Sequence, residues 1–286
     1  MKKFVVAVLF ASLVVSVASA PVFAAPKPTK TVEVVGYDVS YPQCGKTLPV
    51  NPVFTVVGVN GGRPGDTNPC LEQQLTWAKT ANGGAGQPAM QMYVNTANPG
   101  AITPKVTSWP TNNYDPQGNE TAGPYGACDG ANTQACSWQY GWNKASETYF
   151  AFFLPHAKTA GIPAGINDYV WWLDVELENT WQSGSSEALQ RNTATLEGMT
   201  SFFQKYNAKG VGIYATMSQW TAVTGGKNAI SETSVLNKLP DWRPSGTSLA
   251  IATSNCTEAE PLTRGGYVSM TQYVVRGFDR NHSCAQ

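Results

Sequence analysis

Short β-rich runs alternate with helical patterns along most of this chain, and no other feature of the sequence constrains the fold as strongly. Strands that are separated by helical segments form a parallel sheet with helical crossovers. The helical patterns fall at about residues 70–80, 142–153 and 189–206. The predicted strands cover residues 34–39, 54–60, 90–95, 169–176 and 210–215, followed by residues 248–252 and 268–274.

A single domain over residues 32–286 contains these elements without an internal linker or repeat. That length favours one closed α/β barrel of the TIM type, and an open, doubly wound sheet is the alternative. No GxGxxG fingerprint follows the first strand and no P-loop is present, which weakens the nucleotide-binding version of that alternative. A Gly-, Pro- and Asn-rich region at about residues 97–137 is too long for an ordinary connection, and it predicts an insertion or a functional surface loop.

The amino terminus has the pattern of a secretory signal peptide. Lys2 and Lys3 precede an apolar stretch, and the small residues that follow end in Val-Phe-Ala before Ala25. We therefore predict a signal peptide at residues 1–24 and an exposed linker at residues 25–31, with a retained membrane anchor as the alternative. Cleavage implies a protein that is secreted, extracellular or associated with the cell wall, without stable membrane insertion.

An exported chain gives its cysteines a particular meaning. Six cysteines suggest three disulfides, which can connect in fifteen ways. All six lie in turn-rich sequence outside the apolar runs, so we predict that they staple loops rather than act in catalysis. We predict the sequential pairs Cys44–Cys70, Cys128–Cys136 and Cys256–Cys284.

The charge content excludes several classes of function. Charged residues make up 13% of the chain, and 19 basic residues balance 19 acidic ones. This balance offers no basic surface for nucleic acid. Two histidines, His156 and His282, leave little room for zinc or for a serine–histidine mechanism. We expect no metal and no cofactor.

Carboxylates follow the predicted strands, and in an α/β barrel the carboxyl ends of the strands carry the active site. Asp38 ends the first strand, Asp174 and Glu176 end the fourth, and Asp279 follows the last apolar strand. Such placement is informative in a chain with so few charges. Glu178 continues the alternation of the fourth strand, and its role is left open.

Asp174 and Glu176 are the pair that suggests a reaction. Strand alternation points both side chains to one face, with backbones roughly 6–7 Å apart. Two carboxyls this close cannot both ionise freely, so one pKa rises, and a protonated glutamic acid is what cleavage of a glycosidic bond requires. Trp171, Trp172 and Trp181 can offer flat faces to sugar rings. The alternative is a capping aspartate, a solvated glutamate and core tryptophans.

Four segments resemble glycoside hydrolase family 25, the lysozyme (N-acetylmuramidase) family. They occur in the family's order and span nearly all of residues 32–286. Pro42 and Cys44 depart from the family pattern, and the spacing between Gln272 and Asp279 is short, which suggests a divergent secreted branch. The four segments are Asp38-Val-Ser-Tyr-Pro-Gln43, Leu173-Asp-Val-Glu176, Gly212-Ile-Tyr-Ala-Thr-Met-Ser-Gln-Trp220, and Thr271-Gln-Tyr273 followed by Asp279-Arg-Asn281.

The resemblance implies a fold and a set of roles. The fold is the family's barrel, in which the last three strands lack regular helices. Glu176 is the implied general acid, and Asp174 would position or polarise the 2-acetamido group or the developing positive charge. Asp38 and Asp279 complete the acidic floor. The implied sugar contacts are Tyr214, Trp172, Trp181 and Gln43.

The implied substrate is peptidoglycan or a related N-acetylated glycan, cleaved at the β-1,4 bond after N-acetylmuramic acid. The chief alternative is a carbohydrate-binding or wall-associated protein that keeps the barrel but not the turnover. A third hypothesis is a secreted glycosidase for chitin-like or plant glycans. The retained Asp38, Asp174 and Glu176 favour an enzyme.

Overall fold

A computed structural model describes residues 35–101, 108–275 and 277–285. Eight strands form a closed barrel in chain order, so the predicted single barrel is confirmed and the open sheet is wrong. The predicted signal peptide and linker lie outside the described residues. Within the described residues, no helix has the length and apolar character needed to cross a bilayer.

The barrel is parallel except at its last strand. β8 runs antiparallel to both β7 and β1, and this pairing closes the sheet. The strands are β1 Gly36–Val39, β2 Phe54–Gly58, β3 Met90–Asn95, β4 Val170–Asp174, β5 Gly210–Tyr214, β6 Pro240–Pro244, β7 Tyr267–Val275 and β8 Phe278–Ser283. The α-helices are α1 Leu71–Ala78, α2 Gln134–Glu147, α3 Leu154–Ala160, α4 Ser186–Lys205, α5 Met217–Thr224 and α6 Leu249–Glu258.

The carboxyl-terminal third differs from the sequence prediction. Residues 248–252 begin helix α6 instead of forming a strand, because the Ser248 side chain caps the helix by accepting a hydrogen bond from the Ile251 N–H at 3.3 Å. The true sixth strand, β6, was missed because two prolines and two charged residues obscure it. The expectation that the last strands lack regular helices is wrong for β6, since α6 leads from it to β7. β8 is a polar strand and was also missed.

Side chains alternate between two apolar layers, and β4 illustrates both. Trp172 points into the barrel, where it packs with Phe54, Trp242 and other interior side chains. Trp171 and Leu173 point outward to the layer beneath the helices, and the Trp171 ring stacks on Phe203 of α4 at 4.7 Å. The interior layer therefore supports the floor of the barrel mouth, while the outer layer attaches the helices.

The three predicted disulfides are confirmed. Cys44–Cys70 links the 3₁₀ helix Tyr41–Gln43 that follows β1 to the start of α1. Cys128–Cys136 fastens the predicted insertion to α2, and Cys256–Cys284 fastens α6 to the end of β8. The described residues between β3 and α2 contain turns and one isolated bridge, and the last four positions of the predicted insertion form the first turn of α2.

Helices α2 and α4 pack closely because a glycine lies on each at their contact. A Cβ added at Gly141 would lie 1.9 Å from the Thr195 carbonyl oxygen, and one at Gly198 would lie 2.0 Å from the Trp138 carbonyl oxygen. Both obstacles are backbone atoms, which cannot rotate aside as a flexible side chain can.

We expect Gly198→Ala to lower the free energy of unfolding by about 1–3 kcal/mol, because the methyl group forces the two helices apart. In a helix without such a contact the same change is stabilising by about 1 kcal/mol, so the sign of the effect is diagnostic. Chemical denaturation measures it. Ser201→Ala, one turn further along α4, is the control and should change stability little. A gain in stability for Gly198→Ala would contradict the close packing.

Candidate active site

Four carboxylates lie at the carboxyl-terminal mouth of the barrel and line one cleft of about 890 Å³. Asp38 is near the end of β1 and Asp174 is the last residue of β4. Asp279 is near the start of β8, which lies at the same mouth because β8 is antiparallel, and it pairs directly with Asp38 across the two strands. Glu176 lies in the loop two residues beyond β4, not within the strand as predicted.

The Asp38 carboxylate is held by side-chain amides. Gln272 Nε2 donates to both of its oxygens, at 3.0 and 2.9 Å, and Asn281 Nδ2 donates to Oδ2 at 3.2 Å. Each amide is oriented in turn, because its own oxygen accepts a hydrogen bond from the Tyr214 hydroxyl or the Trp242 indole N–H, both at 2.8 Å. The network fixes a carboxyl group that is only 4% exposed.

Asp174 is buried with one oxygen occupied and one free. Asn95 Nδ2 donates to Asp174 Oδ2 at 3.0 Å, and the Thr96 hydroxyl donates to the Asp174 carbonyl at 2.7 Å. Oδ1 accepts no hydrogen bond from the described residues. Buried polar atoms are normally satisfied, so an unsatisfied oxygen in a cleft is suited to a donor brought by a ligand.

Glu176 is half-buried and its side chain lines the same cleft. The Trp181 indole N–H donates to the Glu176 carbonyl oxygen at 2.9 Å, which anchors the loop. Trp181 thereby supports the backbone of Glu176, and it is not among the residues that line the cleft.

The cleft raises the pKa of these four carboxyl groups at the barrel mouth. Burial, reinforced by the charge of Asp279, raises the pKa of Asp38 to about 8. The pKa of Asp174 is raised by burial and then by Glu176 and Asp38. Burial raises the pKa of Glu176, with further contributions from Glu178 and Asp279, and burial also raises that of Asp279. Neighbouring carboxyls out of water cannot all ionise, so this cleft retains protons above the usual range.

The other predicted sugar contacts divide into two groups. Tyr214 lines the cleft, as does Gln43, whose Oε1 accepts a hydrogen bond from the Ser40 N–H at 2.9 Å and shapes the first loop. Trp172 does not: it is 1% exposed and its indole N–H donates to Gln91 Oε1 inside the barrel. The alternation that brings Asp174 to the mouth places Trp172 one layer deeper, so the expectation of a sugar contact is corrected.

Sequence reasoning missed several residues of the cleft. Asn95 is the last residue of β3, and the strand-end argument that selected Asp174 would have found it. Tyr140 and Lys144 reach the cleft from α2, and Lys144 is buried in an ion pair with Glu147 at 2.7 Å. No local pattern predicts their position, because it depends on where α2 packs. Among the described residues, no group of three or more His, Cys, Asp or Glu side chains is arranged to hold a metal ion.

Comparisons with known proteins give matches among solved structures. No protein-family model and no curated protein matches this chain. Its fold is similar to that of a lysozyme from Streptomyces coelicolor, with 17% identity, a TM-score of 0.47, and 89% of this chain and 93% of that one covered. A muramidase from Trichobolus zukalii matches with 16% identity and a TM-score of 0.45, covering 88% and 93%.

A family 25 glycoside hydrolase, a lysozyme from Aspergillus fumigatus, matches with 13% identity and a TM-score of 0.44, covering 87% and 93%. That protein belongs to the family that the four sequence segments resemble. At these values the similarity describes the course of the chain and gives no information about the side chains of the cleft.

The raised pKa of Asp38 makes stability depend on pH. The pKa of Asp38 is about 8 in the folded protein, whereas an aspartate in the unfolded chain has a pKa of about 3.9. Unfolding therefore releases a proton between these values, and the free energy of unfolding falls as pH rises. We expect Asp38→Asn to make this slope shallower by about 1.4 kcal/mol per pH unit between about pH 5 and 7.

Denaturant titrations at several pH values measure the slope. Asp66→Asn removes an exposed carboxylate at the rim of the cleft and is the matched control, expected to keep the wild-type slope. Equal slopes for wild type and Asp38→Asn would contradict a protonated, buried Asp38.

Proposed function

We propose that this chain is a secreted glycoside hydrolase that cleaves β-1,4 bonds of peptidoglycan, with Glu176 as general acid and Asp174 as its partner. One observation carries the proposal: Glu176 and Asp174 share a cleft with Asp38 and Asp279 at the barrel mouth, and the pKa of Glu176 is raised there. A raised pKa lets a carboxyl group keep its proton at higher pH than usual, and a protonated carboxyl can protonate a leaving-group oxygen.

The geometry divides the chemistry between two carboxyls. The half-buried Glu176 is accessible to a glycan in the cleft and gives its proton to the glycosidic oxygen as the bond to the anomeric carbon breaks. Asp174 is held by Asn95 and presents its free Oδ1. That oxygen is suited to accept the N–H of a 2-acetamido group, or to stabilise the positive charge that develops on the sugar. Water then completes hydrolysis and restores the proton of Glu176.

Asp38 and Asp279 act as the floor of the site. Asp38 is fixed by Gln272 and Asn281, so it cannot turn away from the cleft. Through Gln272 the same network positions the Tyr214 hydroxyl, which leaves the Tyr214 ring as part of the wall that a sugar contacts. Removal of any of these amides should disturb the floor without removing the acid.

Secretion is proposed together with the activity. Three disulfides are typical of proteins that fold in an oxidising compartment, and they agree with the predicted signal peptide at residues 1–24. Peptidoglycan is a substrate that a protein exported from the cell can reach.

We expect Glu176→Gln to lower the rate of peptidoglycan cleavage by at least about a hundredfold, because the amide has no proton to donate. The purified protein is incubated with peptidoglycan, and the new reducing ends are identified by mass spectrometry as N-acetylmuramic acid. Glu72→Gln makes the same chemical change on the exposed face of α1 and should retain activity. Binding without products in the wild type would instead favour a carbohydrate-binding protein, and full activity of Glu176→Gln would remove it from the mechanism.

Glu178 tunes the acid, because its charge contributes to the raised pKa of Glu176. Activity falls on the alkaline side as the general acid loses its proton. We expect Glu178→Gln to lower the pKa of Glu176 and move the alkaline limb of the kcat/KM profile to lower pH. Glu178→Asp keeps the charge and should leave the limb in place. A limb that moves to higher pH in Glu178→Gln would contradict this role.

A further inference from the structure

A second cavity, of about 1010 Å³, lies outside the barrel and apart from the catalytic cleft. Its walls come from residues 115–125, from helices α2 and α4, and from residues 231–235. Helix α2 separates it from the cleft. Trp138 and Trp142 line the cavity, whereas Tyr140 and Lys144 line the cleft, and positions two residues apart lie about 200° around a helix.

The apolar part of this cavity is aromatic. The rings of Trp138 and Trp142 stack with centroids 5.2 Å apart, and Tyr125 and Tyr206 add two further half-buried rings to the wall. Trp138 is 3% exposed and backs the wall, so Trp142, Tyr125 and Tyr206 present the accessible aromatic surface. Flat aromatic faces are suited to the C–H face of a pyranose ring and combine an apolar surface with a polar edge. Neither tryptophan indole N–H has a hydrogen-bond acceptor among the described residues, although both nitrogens are buried.

The polar part is built around a buried carboxylate. Glu197 of α4 is 4% exposed and accepts hydrogen bonds from the hydroxyls of Tyr125 and Ser234. No cationic side chain of the described residues forms an ion pair with it. A carboxylate has about four lone-pair sites and these two donors use two of them, so Glu197 can accept further hydrogen bonds from a ligand's hydroxyl or amide groups. The hydroxyls of Ser201 and Thr233 extend this polar surface along the wall.

The charges at this cavity disfavour an anionic ligand. Three carboxylates line it, from Asp115, Glu120 and Glu197, against one lysine, Lys205. An anionic ligand would be repelled by this balance. A peptide that binds by adding a strand would need an unpaired strand edge, and the described residues that line the cavity belong to helices and loops. We infer that this cavity is a second binding site, distinct from the catalytic cleft, for a neutral oligosaccharide.

Such a site holds a glycan chain without cleaving it. A protein that binds one stretch of a polymer here raises the effective concentration of other stretches at its cleft. The assignment stands on the cavity alone and does not depend on the proposed hydrolysis.

The probe is tetra-N-acetylchitotetraose, a neutral oligosaccharide. The titration uses the Glu176→Gln variant, so that the probe is not cleaved during the measurement. The indole N–H resonances of Trp138 and Trp142, assigned from Trp138→Phe and Trp142→Phe, report this cavity, while the indole resonance of Trp242 reports the cleft. We expect the first two resonances to shift and to saturate as the probe is added. Shifts confined to Trp242 at millimolar probe would overturn the assignment.

Two further variants test the wall. Val235 is 38% exposed beside the cavity, and Val235→Arg should obstruct it and weaken binding at these resonances about tenfold. The matched control is Ile251→Arg, the same change at an exposed position on α6, with unchanged binding expected. Glu197→Gln removes charge from the buried acceptor without adding bulk, and it too should weaken binding. Wild-type affinity in both Val235→Arg and Glu197→Gln would contradict the site.

The two proposals fail separately. A protein that cleaves no peptidoglycan but shows saturable shifts at Trp138 and Trp142 would lose the proposed function and keep the second site. A protein that cleaves peptidoglycan without those shifts would keep the function and lose the second site.

Discussion

The pairing of β8 with β1 is the constraint on which the site depends. It closes the barrel and places Asp279 directly opposite Asp38, two carboxyls at one mouth that a purely parallel arrangement would not bring together in this way. Asp174 and Glu176 then join them from β4. The four carboxyl groups lie close together and are partly or fully buried, and burial raises the pKa of each one.

Asp38, the least exposed of the four acids, is surrounded by neutral amides and not by cations. Gln272 and Asn281 donate to Asp38, and each is held through its own oxygen. A lysine or arginine in their place would lower the pKa of the acid and remove its proton. The hydrogen bonds from these neutral amides fix the geometry and lower the pKa of Asp38, but burial and the charge of Asp279 outweigh them and the pKa stays raised.

Much of this architecture could be predicted from the sequence, and the exceptions have physical causes. Strand alternation and strand-end placement were enough to find Asp38, Asp174 and Glu176 as candidates, since both follow from backbone geometry. Burial depth cannot be read from the sequence, so the expected sugar contact of Trp172 is wrong: this side chain lies below the mouth. The prolines and charged residues of β6 and the polar residues of β8 hide their strand character, and the Ser248 cap makes an apolar run the start of α6. The aromatic cavity depends on how α2 and α4 pack, which no local pattern encodes.

The antiparallel pairing of β8 also fixes the sign of the charge on one wall of the cleft. Side chains of a strand alternate between two faces, so a slip of β8 by one residue against β7 and β1 would turn Asp279 away from the cleft and turn its neighbour Arg280 to the face that lines it. The sign of the charge on this wall is thus set by the register of β8 as well as by residue identity.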